Sequence, residues 1–125
     1  VQLKTEKLSD SVLAMVDITQ VKTALGNLIK NAIESANSDG VVEVTLTLDK
    51  QDRIEISIFD SGETLDAYES EIIFKPFYSE KKDGLGLGLS ISKSLIENND
   101  GSITYRSKPK KCFVVTLPTG NKIDV

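Results

Sequence analysis

Apolar residues spaced three and four apart mark the first strong element of the chain. Ile18, Val21, Leu25, Leu28, Ala32 and Ala36 recur at helical intervals. The spacing predicts an amphipathic helix, capped by Asp17 or Thr19 and running to about Asn37. Alternation of period two then takes over. Val41–Leu48 and Arg53–Asp60 predict a hairpin across Asp49-Lys50-Gln51-Asp52. In its second strand Ile54, Ile56 and Ile58 share one face and Arg53, Glu55 and Ser57 the other. A second helical pattern through Leu89, Ser92, Lys93, Leu95 and Ile96 ends at Asn98, Asn99 and Gly101. Ser102–Ser107 and Lys111–Leu117 predict a closing hairpin around Lys108-Pro109-Lys110. Two short strands, Val1–Leu8 and Val12–Val16, are expected at the start, with a turn at Ser9-Asp10-Ser11. A short helix at about Ala67–Phe74 is expected inside the irregular stretch Glu63–Asp83, and Thr119–Val125 reads as a loose tail.

Three features carry candidate chemistry. Asn27, Asn31 and Glu34 lie at i, i+4 and i+7 and form a polar stripe on the first helix. Asparagine is a poor mid-helix residue because its amide competes for backbone hydrogen bonds. The stripe is either a solvated face or a pair of neutral oxygen ligands, suited to Mg²⁺ that substrate phosphates already neutralise. Asp60 falls on the isoleucine side of its strand, where a carboxylate without a donor is costly. It either caps the strand-to-loop turn or accepts from a ligand N–H such as an adenine amino group, with Gly62 letting a flat ring approach the backbone. Finally, Gly84, Gly86 and Gly88 alternate with Leu85, Leu87 and Leu89 and lead into the second helix. Bare backbone N–H groups at the positive end of a helix suit a phosphate. A glycine-softened turn whose leucines fill a core is the plainer reading, since one glycine motif alone is weak. The stretch between Gly62 and Gly84 reads as a mobile lid or a charged surface loop, and its Lys81-Lys82 would lie near any phosphates the glycines hold.

Composition narrows the function classes. The 125 residues suffice for one domain with a real core, and 39% apolar with 27% charged content is ordinary for a soluble globule. A net charge of −4 weighs against a nucleic-acid partner. No apolar run approaches the ~18 residues of a membrane helix, and no signal-peptide pattern is present. Cys112 is the single cysteine, so no internal disulfide forms; its strand-like setting predicts a buried, inert thiol in a reducing compartment. The chain has no histidine. That removes the commonest general base, a Ser-His-Asp triad and any phosphohistidine of its own. A start at Val1 suggests a piece of a longer protein.

Taken in order, the motifs resemble those of histidine-kinase catalytic domains. Asn27-Leu28-Ile29-Lys30-Asn31-Ala32-Ile33-Glu34-Ser35-Ala36 is similar to their N box and Asp60-Ser61-Gly62 to the start of the G1 box. Phe74-Lys75-Pro76-Phe77-Tyr78 resembles the F box, and Gly84–Gly88 with Leu89-Ser90-Ile91-Ser92 the G2 box. Order and spacing match from Asp60 through Lys93, and Pro76 through Ser92 looks most like the nitrogen-regulation, oxygen-sensing and dicarboxylate-sensing kinases. The resemblance implies an α+β two-layer sandwich, the Bergerat ATP-binding fold, with a mixed five-stranded sheet against about three helices. It implies ATP and Mg²⁺ as ligands, with Asn31 on the metal and Asn27 beside it at the metal or phosphates. Lys30 would reach a phosphate, Asp60 would accept from the adenine amino group, and Gly62 would lie under the base. Tyr78 and Lys81 would approach from the lid, and Gly84, Leu85, Gly86, Leu87, Gly88 and Leu89 would wrap the triphosphate. Asn31, Asn27 and Lys81 take the catalytic roles. The implied reaction moves the γ-phosphoryl group to a histidine on a separate dimerisation domain, with a response regulator downstream. The implied setting is a cytoplasmic, monomeric domain with no direct membrane contact, in a parent kinase of the kind that is often membrane-anchored.

Two positions depart from the family pattern. Thr64 stands where the G1 box has a second glycine, and Asp66-Ala67-Tyr68 where a proline is usual. Thr64 keeps open a degenerate domain that serves as a docking module. A same-fold ATPase or serine kinase is the other alternative, as in the gyrase, chaperone and anti-sigma groups. Those hydrolases place a glutamate base where this chain has Asn27, an amide that takes no proton at neutral pH, and Glu34 remains a candidate base. A Rossmann domain fits poorly, because its glycine loop would follow a first strand rather than open the last helix.

Overall fold

Each apolar pattern found a partner layer. The computed structural model describes residues 2–6, 14, 16–76, 88–108 and 110–119. The elements are β1 (Gln2–Glu6), α1 (Ile18–Ser35), β2 (Val41–Leu48), β3 (Ile54–Asp60), α2 (Ala67–Ile72), α3 (Gly88–Glu97), β4 (Ser102–Arg106) and β5 (Cys112–Leu117). Together they make the expected α+β sandwich: one mixed sheet, ordered β1-β2-β3-β5-β4, with β1 parallel to β2 and the other pairs antiparallel.

Register decides which side chains reach the helices. Val44 opposes Ile58, Ile58 opposes Phe113, and Phe113 opposes Tyr105. Directly opposed residues share a sheet face, so these form one apolar row. Leu46, Ile56, Val115 and Ile103 form the next row. α1 closes this face with Val21, Ala24, Leu28 and Ala32, all buried. Burying a side chain such as Leu28 is worth about 1.5–3 kcal/mol. The opposite face is mostly polar, around Phe59, Cys112 and the buried Val114. It carries the exposed pairs Arg106–Glu55 and Lys110–Glu43, each at 3.3 Å, and the Lys110 ammonium over the Phe59 ring. Exposed pairs of this kind add little stability.

Several expectations needed adjustment. Asp17 is the N-cap of α1 and accepts from the Gln20 N–H at 3.1 Å, but Ile18 is 70% exposed. The stripe instead runs through Ala24, whose small side chain fits where α1 meets α3. The helix stops at Ser35, with Ala36 as its cap. The first expected strand holds over Gln2–Glu6; of the second, Ala14 and Val16 lie outside any strand and pack on the core, and the rest falls outside the described residues. The short helix is present as α2 with a capping box between Asp66 and Glu69. The segment 77–87, which holds the second half of the expected lid, lies outside the described residues, as does 120–125 of the expected tail.

α1 and α3 run antiparallel and are stapled by buried polar groups. The Asn99 carbonyl oxygen accepts from the Asp17 N–H at 2.7 Å, and its amide donates to Gln20 Oε1 at 2.9 Å and to the Leu95 carbonyl at 2.8 Å. The Ser92 hydroxyl lies 2.8 Å from the Gly88 carbonyl and 3.3 Å from that of Ala24. α3 ends through Asp100 at φ 61°, with the Gly101 N–H returning to the Ile96 carbonyl. Asn99→Ala is expected to lower stability by about 1–3 kcal/mol, since it leaves the part-buried Asp17 N–H without its acceptor and removes two donated bonds. The loss would appear as a lower urea midpoint at constant slope. An unchanged midpoint would mean that apolar packing alone holds the two helices.

Candidate functional site

The expected donor for the inward-facing carboxylate is a lysine. Asp60 ends β3 on the isoleucine side and is 1% exposed. Its register partner across β2 is Val42, and the neighbouring β3–β5 ladder ends at Phe59–Cys112. One residue beyond that ladder stands Lys111, 7% exposed, with its ammonium 2.8 Å from Asp60 Oδ1. The same Nζ donates to the Glu63 carbonyl at 2.6 Å and to Ser35 Oγ at 3.2 Å. Asp60 Oδ1 also accepts from the Gly62 N–H at 2.9 Å. One carboxylate therefore gathers the end of β3, the start of the following loop, the last turn of α1 and the entry to β5.

Gly62 has its own reason within this cluster. A Cβ there would collide with the Ser35 carbonyl and sit 2.6 Å from Ser35 Oγ and 2.8 Å from Asp60 Oδ1. The backbone can pass that close to α1 only without a side chain. The loop beyond is held by Tyr105, whose hydroxyl accepts from the Leu65 N–H at 2.9 Å. Burial pushes the Tyr105 phenol up from its ordinary value. Phe74 packs edge-on against Phe113, with the Lys93 ammonium of α3 5.4 Å from its ring centroid. Thr64 is exposed in the connection between β3 and α2.

From Ser35 back along α1, a single stripe leads to α3. Ala24, Asn27, Asn31 and Ser35 fall at i, i+3, i+7 and i+11 and so share a face. Asn27 and Asn31 are half-buried; Lys30 and Glu34 are exposed. Ser35 touches the Asp60 cluster, and Ala24 meets Ser92 one turn into α3. At 1.5 Å per residue those two contacts lie about 16 Å apart along the helix. Gly88 opens α3, exposed, with nothing among the described residues within 4 Å of where its Cβ would be; Leu89 follows, half-buried. The stripe thus runs from a buried acceptor past the positive terminus of a ten-residue helix, which the antiparallel packing sets about one turn back from Ala24 toward Asn27. Tyr78, Lys81, Gly84, Leu85, Gly86 and Leu87 lie outside the described residues.

Lys111 was missed in the sequence, though the signal was present. It precedes Phe113, Val115 and Leu117 at steps of two, on the core side of its strand, just as Asp60 follows Ile54, Ile56 and Ile58. Cys112, on the other face, is half-buried rather than buried, and desolvation pushes its thiol up.

Two outcomes follow from this geometry. Lys111→Met should cost about 3–5 kcal/mol by leaving Asp60 buried and unpaired, and adding Asp60→Asn should recover part of that loss. An unfolding midpoint unmoved by Lys111→Met would contradict the pairing. Iodoacetamide should alkylate Cys112 more slowly at pH 7 than it alkylates an unstructured cysteine, with the rate rising above the ordinary thiol range, because the raised thiol holds less thiolate. Equal rates at pH 7 would count against burial as the controlling factor.

Comparison with known proteins places this arrangement. Residues 16–121 match the family described as histidine kinase-, DNA gyrase B- and HSP90-like ATPase. Sporulation kinase A of Bacillus subtilis is 34% identical over 118 residues, covering 93% of this chain and 19% of that protein. The sensor histidine kinase ZraS of Klebsiella oxytoca is 33% identical over 108 residues, covering 85% of this chain and 23% of the relative. The chain therefore spans about a fifth of the length of these curated relatives. Among solved structures, a nucleotide-free catalytic domain of histidine kinase ThkA superposes with a TM-score of 0.83 at 30% identity, covering 94% of this chain and 78% of that one.

Proposed function

The chain belongs to the histidine kinase-, DNA gyrase B- and HSP90-like ATPase family, and on that premise we propose that it binds Mg-ATP along the Asn27–Asn31–Ser35 stripe of α1 and delivers the γ-phosphoryl group to a histidine of a separate dimerisation domain. The supporting observation is the stripe itself, which runs from the Asp60–Lys111 cluster alongside the first turns of α3. A ligand with a hydrogen-bond donor at one end and phosphates at the other suits both termini.

The residues take distinct roles in this reading. Asp60 accepts from the adenine amino group, and Gly62 keeps the adjoining backbone clear of side chain. Asn31 would hold Mg²⁺ and Asn27 the metal or a phosphate; both are half-buried on α1, as neutral oxygen donors for a phosphate-bound cation should be. Bound there, Mg²⁺ supplies charge neutralisation at the phosphates. Lys30, exposed one residue before Asn31, reaches toward the phosphates. Gly88 and Leu89 present the amides of the first turn of α3. Gly84, Leu85, Gly86 and Leu87 would join them at the phosphates, and Tyr78 and Lys81 at the nucleotide, as the family resemblance implies; these six lie outside the described residues. Positioning and charge, rather than a strong base, do the catalytic work, which fits an amide at Asn27 and a chain without histidine.

The acceptor histidine and the response regulator downstream lie on other segments or proteins, consistent with a chain that spans a fifth of its sensor-kinase relatives. Among the described residues no helix is long and apolar enough to cross a membrane. We place the domain in the cytoplasm, as a monomer until its dimerisation helices are attached.

Titration calorimetry with Mg²⁺ and a non-hydrolysable ATP analogue tests the site. Wild-type chain should bind, and Asn31→Asp and Asp60→Asn should each abolish binding. Unchanged affinity in both variants would remove the site assignment. Saturating nucleotide should also raise the thermal midpoint, since a ligand at a hundred times its Kd adds about 2.7 kcal/mol to the native state. A midpoint unmoved at millimolar Mg-ATP would favour a docking module without nucleotide, and brisk ATP hydrolysis by the chain alone would favour a hydrolase.

A further inference from the structure

Among the described residues the buried charged side chains are Asp60 and Lys111, and they face one another at 2.8 Å. Resting on the nucleotide reading above, we propose that Lys111 sets how strongly this site selects a 6-aminopurine, by sharing the carboxylate that the base would use.

The ammonium has nothing left for the base. Its three N–H groups have three acceptors, Asp60 Oδ1, the Glu63 carbonyl and Ser35 Oγ, and an ammonium accepts nothing. Its influence is electrostatic and positional. Oδ1 already takes the Gly62 N–H and the lysine, so an incoming amino group comes to Oδ2. A hydrogen bond to an ionised acceptor is about twice as strong as one between neutral groups. A cation on the neighbouring oxygen, in a site where both partners are under a tenth exposed, offsets much of that charge. The 6-amino group therefore contributes less here than it would beside an unpaired carboxylate. Lys111 is thus a positioning residue that acts on the base through Asp60. In the same way it fixes the Glu63 carbonyl and the last turn of α1 around the carboxylate.

The test compares Mg-ATP with the Mg complex of purine riboside triphosphate, which lacks only the 6-amino group. Both are titrated calorimetrically into the wild-type chain and three variants whose folding is verified by circular dichroism. Lys111→Gln keeps an N–H donor for Asp60 and removes the charge, so it folds even where Lys111→Met does not. The ratio of the two dissociation constants, purine riboside over ATP, should rise about threefold or more in Lys111→Gln and further in Lys111→Met. Lys111→Arg, which retains the charge, should keep the wild-type ratio. Equal changes for both nucleotides, leaving the ratio fixed in Lys111→Gln, would make Lys111 structural only and overturn the proposal while sparing the nucleotide site. Failure of either nucleotide to bind wild type or any variant would overturn the nucleotide reading, and this proposal with it.

Discussion

A carboxylate that the strand alternation forces indoors governs the layout of this molecule. Asp60 cannot turn to water without reversing the face of Ile54, Ile56 and Ile58. It must be met by donors, and they arrive from the Gly62 backbone and from Lys111. The lysine then needs acceptors of its own, which the last turn of α1 and the Glu63 carbonyl provide. Satisfying one buried charge thus brings four segments of the chain to one point. The lysine and the Gly62 N–H both engage Oδ1, and in the proposed reading the second oxygen of Asp60 meets the base.

A second constraint acts at the opposite end of the same helix. Asn99 ties the end of α3 to the cap of α1, and Ser92 ties its first turn to Ala24. With α1 held at both ends, the face between them is set by helical geometry alone. Asn27 and Asn31 fall on that face because they lie at whole-turn offsets from Ser35. The chain belongs to a family of ATPases and is similar to a catalytic domain of a histidine kinase, and the proposed function reads this polar floor as the nucleotide site. The two anchors explain why this sequence holds the floor in place.

Much of this was legible beforehand. Strand alternation fixed the faces of β3 to the residue, because a period of two leaves no other choice when one face is buried. Asp17 as cap and Asn98–Gly101 as terminus followed from side chains and turns that satisfy helix ends locally. The exposure of Ile18 was not legible, since a helix pattern gives a direction but not the edge of the neighbouring layer. Gly62 was read as clearance for a ligand, whereas its nearest demand comes from Ser35, a contact 27 residues back along the chain that only the folded state reveals. Lys111 was passed over because a lysine at a strand start, close behind Lys108 and Lys110, reads as surface. The pairing of two core-side charges on adjacent strands becomes visible only with the strand order in hand.

The most direct measurement is a crystal structure of the chain with Mg²⁺ and a non-hydrolysable ATP analogue. The base should sit with its amino group on the Asp60 carboxylate, the metal on Asn31, and the phosphates at the Gly88 end of α3. A nucleotide bound away from α1, or one whose base turns from Asp60 while its phosphates leave the start of α3, would contradict a site built on that helix.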